Sequence, residues 1–201
     1  MDVVLIGGFQ EVFEALEENS YSIKGYIDLK RKEECNNFNW LGTDNDAVTF
    51  KKKYPNTQII ITPDNPFVRS KLYTYYKSIN FNMYKFIHID AKISASVEIN
   101  EGVFIQKMVN ISSNSVIGKM VKINVSANIM HDCLIGDFTT IAPNAVILGN
   151  VNIGSRCYIG ANSTILPNLQ ITNDVIIGAG SVVTKSIMNK GTYVGVPANK
   201  L

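Results

Sequence analysis

The sequence contains few of the residues that form metal sites and disulfide frameworks. Its 201 residues include only two histidines and three cysteines. Cys35, Cys133 and Cys157 are odd in number and lack CxxC spacing, which argues against both a disulfide framework and a zinc site. We therefore expect reduced, structural thiols and no metal ion.

Long apolar runs and a strong excess of one charge are also missing. No apolar run approaches the roughly 18 residues of a membrane span. The segment from Met1 to Ile6 lacks the basic flank and the cleavage site of a signal peptide. The net charge is only +2, and Lys51–Lys53 is expected at the solvated end of a helix. These absences predict a cytoplasmic protein that neither spans a membrane nor binds nucleic acid.

Isoleucine supplies the strongest pattern in the chain. It occupies every sixth position from Ile87 to Ile177, which makes sixteen isoleucines in unbroken register. Small or aliphatic residues recur in the same period from Val97 to Ser181, four positions after an isoleucine. A fixed period of this kind is the signature of a solenoid, and strand side chains at i and i+4 point to one side. We predict a parallel β-helix from Ile87 to Val183, about 25 Å long, with three six-residue units per coil.

Residues eighteen apart should then share a corner of the triangular coil. Gly118, Gly136 and Gly154 form one such column, and Gly160 with Gly178 forms another. Glycine tolerates positive φ and close backbone approach, so corner geometry is the simplest explanation of both columns. The periodicity alone does not fix the hand of the coil.

The residues before the repeat alternate between strand and helix patterns. Strands are predicted at Asp2–Ile6, Ile23–Asp28 and Gln58–Ile61, with a helix at Glu11–Glu18 and a second helix that Asn65 caps with Pro66 at its first position. A βαβ beginning predicts a parallel sheet. We expect a small, truncated Rossmann-like α/β domain over residues 1–86, followed by a β-helix domain over residues 87–201.

The turn after the first strand is a candidate nucleotide site. Gly7 and Gly8 would let a helix N-terminus approach a diphosphate, and Phe9 follows them directly. Asp28, at the end of the second strand, stands where a ribose hydroxyl is usually bound. These four residues are therefore candidate substrate contacts, although a plain tight turn accounts for the two glycines equally well.

Three longer motifs carry a resemblance to a known family. They are Trp-Leu-Gly-Thr-Asp at Trp40–Asp44, His-Asp-Cys-Leu-Ile-Gly-Asp at His131–Asp137, and Gly-Thr-Tyr-Val-Gly-Val-Pro-Ala at Gly191–Ala198. Together with the repeated Ile-Gly pairs, they resemble the bacterial sugar acyltransferases of the sialic-acid O-acetyltransferase type. The likeness spans the chain and is greatest to N-acetyltransferases that act on nucleotide-linked 4-amino sugars.

That resemblance implies a fold, an activity and partners. The fold would be a left-handed β-helix with hexapeptide repeats, assembled as a homotrimer whose active sites lie between neighbouring chains. The activity would be transfer of an acetyl group from acetyl-CoA, without a metal, to the amino group of a nucleotide-linked amino-deoxy sugar in bacterial surface-glycan biosynthesis. UDP or dTDP is favoured over GDP as the nucleotide.

The resemblance assigns the catalytic histidine to His131 and its acidic partner to Asp132. A sugar ammonium must lose a proton before its nitrogen can attack a thioester, and imidazole titrates in the useful range. His131 lies two residues after the inward Ile129, so its side chain should point outward, where it can meet substrate. Asp132 either orients the imidazole or is a solvated corner carboxylate.

Gly149 stands eighteen residues after His131. A missing side chain there leaves space for the acetyl thioester, and the backbone N–H can stabilise a tetrahedral oxyanion. The resemblance implies the same contact for Gly149. It also puts Thr140 where close relatives often carry a second histidine near the coenzyme, so a hydroxyl contact is expected there.

Further coenzyme contacts are implied at a second column. By the resemblance, Ala161 and Ala179, eighteen residues apart, offer backbone groups to the pantetheine arm, with Gly178 beside them. Corner packing explains these small residues equally well. His88 matches a family histidine at the domain junction and is expected to be structural.

Other functions compete with N-acetylation. A sugar O-acetyltransferase would use the same His131, and no feature of the repeat separates the two reactions. A non-catalytic solenoid scaffold would require an inert His131 and unoccupied grooves. A γ-type carbonic anhydrase needs three histidines around one metal, and the sequence contains only His88 and His131, which excludes it.

Overall fold

The computed structural model describes residues 2–201 and begins with a small α/β layer. Met1, the first residue of the expected front domain, and the side chain of Asp2 lie outside the described part. The elements are β1 (Asp2–Ile6), α1 (Gln10–Glu18), β2 (Ser22–Ile27), α2 (Ala47–Lys53), β3 (Gln58–Ile61), α3 (Pro66–Ser78) and β4 (Asn82–Met83), with short 3₁₀ turns at Glu33–Cys35 and Asp44–Asp46. The strands form one sheet in the order β2-β1-β3-β4, and its parallel pairing confirms the predicted parallel sheet.

Local signals set the ends of the helices. The Asn65 side chain accepts hydrogen bonds from the backbone N–H groups of Phe67 and Val68 at 3.0 and 3.2 Å, and Pro66 opens α3, as predicted. Lys51–Lys53 forms the last turn of α2, where cations interact favourably with the helix dipole. None of the three helices in residues 2–201 is long and apolar enough to cross a membrane.

Short strands after the α/β layer stack into three parallel faces. The first face contains Phe86–Ile87, Phe104–Ile105, Lys122–Ile123, Thr140–Ile141, Tyr158–Ile159, Val175–Ile177 and Gly191–Val194, and ends with the antiparallel Asn199–Lys200. The second face contains Lys92–Ile93, Asn110–Ile111, Asn128–Ile129, Val146–Ile147, Thr164–Ile165 and Val182–Val183. The third face contains Glu98–Ile99, Val116–Ile117, Leu134–Ile135, Asn152–Ile153 and Gln170–Ile171.

The coil length is eighteen residues, as predicted. Ile123, for example, pairs with Ile105 below it and with Ile141 above it. From Ile105 to Ile177 every isoleucine of the repeat is buried inside the prism, together with the small and aliphatic residues of the second register. β-Branched side chains suit such stacked parallel strands, because they pack well on a pleated surface.

Most left-handed corner residues are not glycine, although Gly102 and Gly180 take this conformation at the two ends of the series. A left-handed residue with φ between 56° and 63° recurs every six positions: Met108, Asn114, Met120, Ser126, Asp132, Phe138, Asn144, Asn150, Arg156, Asn162, Asn168 and Asp174. Of the two properties of glycine that could explain the columns, positive φ does not apply, because none of the five column glycines adopts it. Their role is close approach, since a Cβ on Gly136 would lie 2.5 Å from the carbonyl carbon of Gly154.

The α/β layer packs against the first face. Phe86 and Phe104 stack at 4.7 Å between ring centroids and belong to one buried cluster with β1 and α1 residues. His88 is buried at this junction, and its Nε2 lies 3.0 Å from the Glu18 carboxylate. This contact gives His88 the structural position expected for it.

A fully buried arginine joins the two parts. From α3, the Arg69 guanidinium donates to the backbone oxygens of Met120 and Phe138 in the coils at 2.8 and 2.5 Å. It also donates to Pro63 and Asp64 oxygens in the α/β layer. Burial lowers the pKa of Arg69 to about 10, so the group stays charged at neutral pH. Its charge is distributed over several backbone carbonyl groups of the two parts.

We predict that Arg69→Met lowers the free energy of unfolding by at least about 3 kcal/mol, because several buried acceptors lose their only charged donor. Urea unfolding followed by Trp40 fluorescence and by far-UV circular dichroism measures this. Arg156→Met is the matched control: Arg156 pairs with Asp174 at 2.7 Å on the surface, so its loss should cost less than about 1 kcal/mol. Equal unfolding midpoints for the two variants would contradict the assigned role of Arg69.

Candidate active site

The coil register determines where His131 lies. The chain passes from the second to the third face at residues 130–132, 148–150 and 166–168, which we call the histidine corner. Ile129 ends a strand of the second face inside the prism, and His131 follows two residues later with 61% of its side chain exposed. The outward direction predicted from the spacing is confirmed.

Asp132 holds one side of the imidazole. Its Oδ2 lies 2.7 Å from His131 Nδ1, and its Oδ1 accepts a hydrogen bond from Asn114 Nδ2 at 3.2 Å. The hydrogen bonds from His131 and then from Asn114 lower the pKa of the Asp132 carboxyl. A carboxylate on Nδ1 favours the tautomer that leaves Nε2 free to accept a proton.

Gly149 lies directly against the imidazole. A Cβ built on Gly149 would be 2.7 Å from both Cε1 and Nε2 of His131, so any side chain would displace the ring. The backbone N–H of Gly149 donates no hydrogen bond within residues 2–201. Space and an unused donor therefore adjoin the free nitrogen of His131.

Ala161, Gly178 and Ala179 lie at a different corner. The chain passes from the first to the second face at residues 160–162 and 178–180, which we call the alanine corner. Within the described chain, the N–H groups of Ala161 and Ala179 donate no hydrogen bond. A Cβ on Gly178 would lie 2.7 Å from Val194 Cγ1, so tight packing against the tail explains this glycine.

One chain does not bring the two corners together. They are separated by the second face, whose six-residue unit spans up to roughly 20 Å. The coenzyme contacts implied for Ala161, Gly178 and Ala179 therefore do not adjoin His131 and Gly149 of the same chain.

The contact implied for Thr140 needs correction. Its side chain is fully buried beneath the α/β layer, where its hydroxyl donates to the Asp64 oxygen at 2.6 Å and accepts from Arg69 at 2.9 Å. Thr140 belongs to the part of the first face that the front layer covers. Its hydroxyl stabilises the contact between the α/β layer and the coils and does not face a coenzyme groove.

The candidate nucleotide residues do come together. The Gly8 N–H donates a hydrogen bond to Asp28 Oδ2 at 2.9 Å. Gly7 has a φ of +96°, and its carbonyl oxygen accepts a hydrogen bond from the Thr62 hydroxyl. Phe9 is exposed at the start of α1. The Gly8 hydrogen bond and the neighbouring ammonium of Lys32 help to lower the pKa of Asp28, against the effect of burial.

The sequence reasoning missed Lys32 and Asn114. The Lys32 ammonium lies 3.0 Å from Asp28 Oδ2, donates to the Gly8 oxygen at 2.6 Å and sits 4.4 Å from the Phe9 ring centroid. Lys32 is in an irregular segment, where no pattern indicates direction. Asn114 precedes Asp132 by eighteen residues, so the coil arithmetic could have found it.

The positions of the described side chains indicate neither a metal site nor a reactive cysteine. Across the described residues, no three His, Cys, Asp or Glu side chains are grouped to hold a metal ion. Cys133 and Cys157 are buried inside the coils, and burial raises the pKa of Cys157 to about 11. Both are therefore protonated packing groups at neutral pH.

Comparison with known proteins gives one family match. Residues 114–149 and 150–185 match the family described as bacterial transferase hexapeptide (six repeats). No protein of curated function matches the sequence significantly.

Several solved structures match the whole chain. GDP-perosamine N-acetyltransferase from Caulobacter crescentus, a histidine-to-alanine variant in complex with CoA and GDP-perosamine, is 26% identical, with a TM-score of 0.94 over 100% of this chain and 97% of its own. The acetyltransferase domain of PglB from Neisseria gonorrhoeae, in complex with acetyl coenzyme A, is 26% identical, with a TM-score of 0.90 over 100% and 98%. WeeI from Acinetobacter baumannii is 29% identical, with a TM-score of 0.90 over 100% of both chains.

The repeat, the coil stack and the whole-chain likeness agree. Residues 114–185 carry the bacterial transferase hexapeptide repeat, and the whole chain resembles sugar N-acetyltransferases in which an α/β layer precedes a left-handed β-helix.

Proposed function

We propose that this protein transfers an acetyl group from acetyl-CoA to the amino group of a nucleotide-linked amino-deoxy sugar, as a step of bacterial surface-glycan biosynthesis in the cytoplasm. The observation that carries the proposal is the His131 imidazole, held by Asp132 at 2.7 Å and left clear by Gly149. The similar perosamine enzyme was crystallised with CoA and a nucleotide-linked amino sugar, which supports the same substrate class.

His131 acts as the general base. Nε2 takes a proton from the sugar ammonium, and the free amine then attacks the thioester carbonyl carbon. Asp132 stabilises the resulting imidazolium through Nδ1–H. When the carbon–sulfur bond breaks, the proton held by His131 passes to the departing thiolate, and the nitrogen releases its second proton to water, which leaves an amide and CoA.

Gly149 stabilises the charge that forms on the carbonyl oxygen. Its N–H has no partner within residues 2–201, so it can donate to the oxyanion of the tetrahedral intermediate. The glycine also leaves the imidazole in contact range of the acetyl carbon. No metal takes part, and the chelator EDTA should leave activity unchanged.

The complete site forms between two chains of a homotrimer. Because the alanine corner is a full face away from His131, the free N–H groups of Ala161 and Ala179 serve the pantetheine arm beside the histidine corner of a neighbouring chain. Apolar side chains point outward around the histidine corner, namely Met130, Leu148 and Leu166 on one side and Val116 and Leu134 on the other. Such a surface suits burial against a second copy.

The α/β layer binds the nucleotide. Asp28 and the turn at Gly7 and Gly8 are already assembled, and Phe9 and Lys32 add an exposed ring and a positive charge beside them. We propose UDP or dTDP as the carrier, while the perosamine enzyme holds a GDP sugar. We also propose that the chain has two domains, a front domain of residues 1–86 and a β-helix domain of residues 87–201.

The direct test is a panel of UDP-, dTDP- and GDP-linked amino sugars with acetyl-CoA, followed by thiol release and by mass spectrometry of the product. We expect an acetyl amide, which resists hydroxylamine. A hydroxylamine-labile product, formed equally from sugars without an amine, would indicate O-acetylation. If the protein neither releases thiol nor binds CoA, it is better explained as a non-catalytic solenoid scaffold.

We predict that His131→Ala lowers turnover by roughly 10² to 10⁴, as expected for a lost general base, and leaves coenzyme binding and fold nearly unchanged. An outward corner residue contributes little to a core of stacked isoleucines. The defect should shrink at high pH, where the free sugar amine already dominates. If the variant turns over as fast as the wild type near neutral pH, His131 is not the general base.

We predict that Leu134→Glu dissociates the trimer and abolishes transfer, because it puts a charge into the interface beside the histidine corner. Ile176→Glu is the matched control, since Leu134 and Ile176 are 46% and 45% exposed on different faces. Analytical ultracentrifugation should show about three chains for the wild type and the control and one for Leu134→Glu. A fully active monomer would contradict the shared site.

A further inference from the structure

The left-handed residues of the histidine corner form a polar column. Asn114, Asp132, Asn150 and Asn168 occupy equivalent positions in successive coils, with φ values of 57°, 60°, 57° and 63°. Asn and Asp are the side chains that tolerate this conformation best after glycine. Asp132 is the one carboxylate in this column of four, and it is the member that contacts His131.

The column is linked by side-chain hydrogen bonds in pairs. Asn114 donates from Nδ2 to Asp132 Oδ1 at 3.2 Å, and Asn150 donates from Nδ2 to Asn168 Oδ1 at 2.9 Å. The backbone N–H of Asn114 itself donates a hydrogen bond to Ser96 Oγ at 3.0 Å. A continuous ladder therefore runs from Ser96 through Asn114 and Asp132 to the His131 ring.

Each carboxylate oxygen of Asp132 has a separate partner. Oδ1 accepts from Asn114, and Oδ2 faces His131 Nδ1 at 2.7 Å. Two anchoring points fix the plane of a carboxylate, whereas one point leaves it free to rotate about χ2, which is a soft torsion in Asp. Asn114 thus determines whether Oδ2 stays directed at the imidazole.

We infer that Asn114 is a positioning residue for the acetyl-transfer reaction, acting through Asp132 on the tautomer and proton affinity of His131. It touches neither substrate in this role. The inference rests on the proposed function for its kinetic consequence, while the ladder itself can be observed without turnover.

Two substitutions at position 114 separate the hydrogen bond from the backbone. Asn114→Gly keeps the left-handed corner, because glycine adopts positive φ freely, but removes the amide donor. Asn114→Asp keeps a short polar side chain and adds a negative charge beside Asp132. Asn168→Gly is the matched control, since it lies in the same column and bonds Asn150 instead of Asp132.

Titration of the imidazole followed by ¹⁵N–¹H NMR reports the tautomer and the protonation of His131. A purely structural role of Asn114 would leave both unchanged. The chain has only two imidazoles, and His88 is buried against Glu18, so the His131 signals can be assigned. In the wild type we expect the neutral ring to carry its proton on Nδ1. Asn114→Gly should mix the two tautomers and lower the pH at which the ring titrates, because a rotating carboxylate stabilises the imidazolium less.

Asn114→Asp should raise that pH, because a second carboxylate favours the imidazolium. The acidic limb of the kcat/KM profile should follow the same opposite shifts. At neutral pH we expect Asn114→Gly to lower kcat by roughly three- to thirtyfold, less than loss of His131 itself, with KM for acetyl-CoA nearly unchanged. Asn168→Gly should match the wild type in every measurement.

Titration and turnover equal to the wild type in both Asn114 variants would overturn the inference. Equal shifts in Asn168→Gly would also overturn it, because the effect would then arise from the corner and not from the bond to Asp132. A changed ring titration with unchanged kcat would refute the link to the reaction. If the wild type acetylates no amino sugar, the proposed function fails alone, since the NMR titration still decides whether Asn114 positions the ring.

Discussion

Backbone hydrogen bonds between coils eighteen residues apart fix the position of every outward side chain in the prism. Each strand pair, such as Ile123 on Ile105, repeats the same register, so a side chain has its neighbours at ±18 as well as along the chain. His131 therefore meets Gly149 above it. Asp132 likewise meets Asn114 below it. The site is a consequence of this stacking rather than of a flexible loop that must be ordered.

The same constraint limits what one chain can do. Successive corners are separated by a face, and no folding of a rigid prism can bring the alanine corner to the histidine corner. The first face is also unavailable up to Thr140, because the α/β layer covers it there through Arg69, Phe104 and Thr140. The proposed site, which needs both corners, must therefore use two copies of the chain.

Much of the fold could be predicted because its signals are periodic or local. The isoleucine repeat gave the coil length and the outward direction of His131, and Asn65 with Pro66 gave the start of α3. The glycine columns were correctly located, but their close approach could not be told from positive φ, because the sequence does not indicate which corner position takes the left-handed conformation. That position is filled by residues as different as Met108 and Asp132.

The remaining features depend on contacts between distant segments. Arg69 looks like an ordinary helix residue in the sequence, and its burial follows only from docking α3 on the coils. The same docking covers Thr140, so a coenzyme role transferred by motif position was misplaced. Lys32 approaches Gly8 and Asp28 through an irregular segment, where neither periodicity nor spacing predicts direction.

In the proposed mechanism, the reacting amine meets His131 at the corner where Gly149 leaves space. A crystal structure of the protein with CoA and a nucleotide-linked amino sugar tests it directly. We predict that the sugar nitrogen lies within roughly 3 Å of His131 Nε2, with the CoA sulfur near Gly149 and the adenine-bearing end against a neighbouring chain. An amino sugar bound away from the histidine corner, with Nε2 facing solvent, would contradict it.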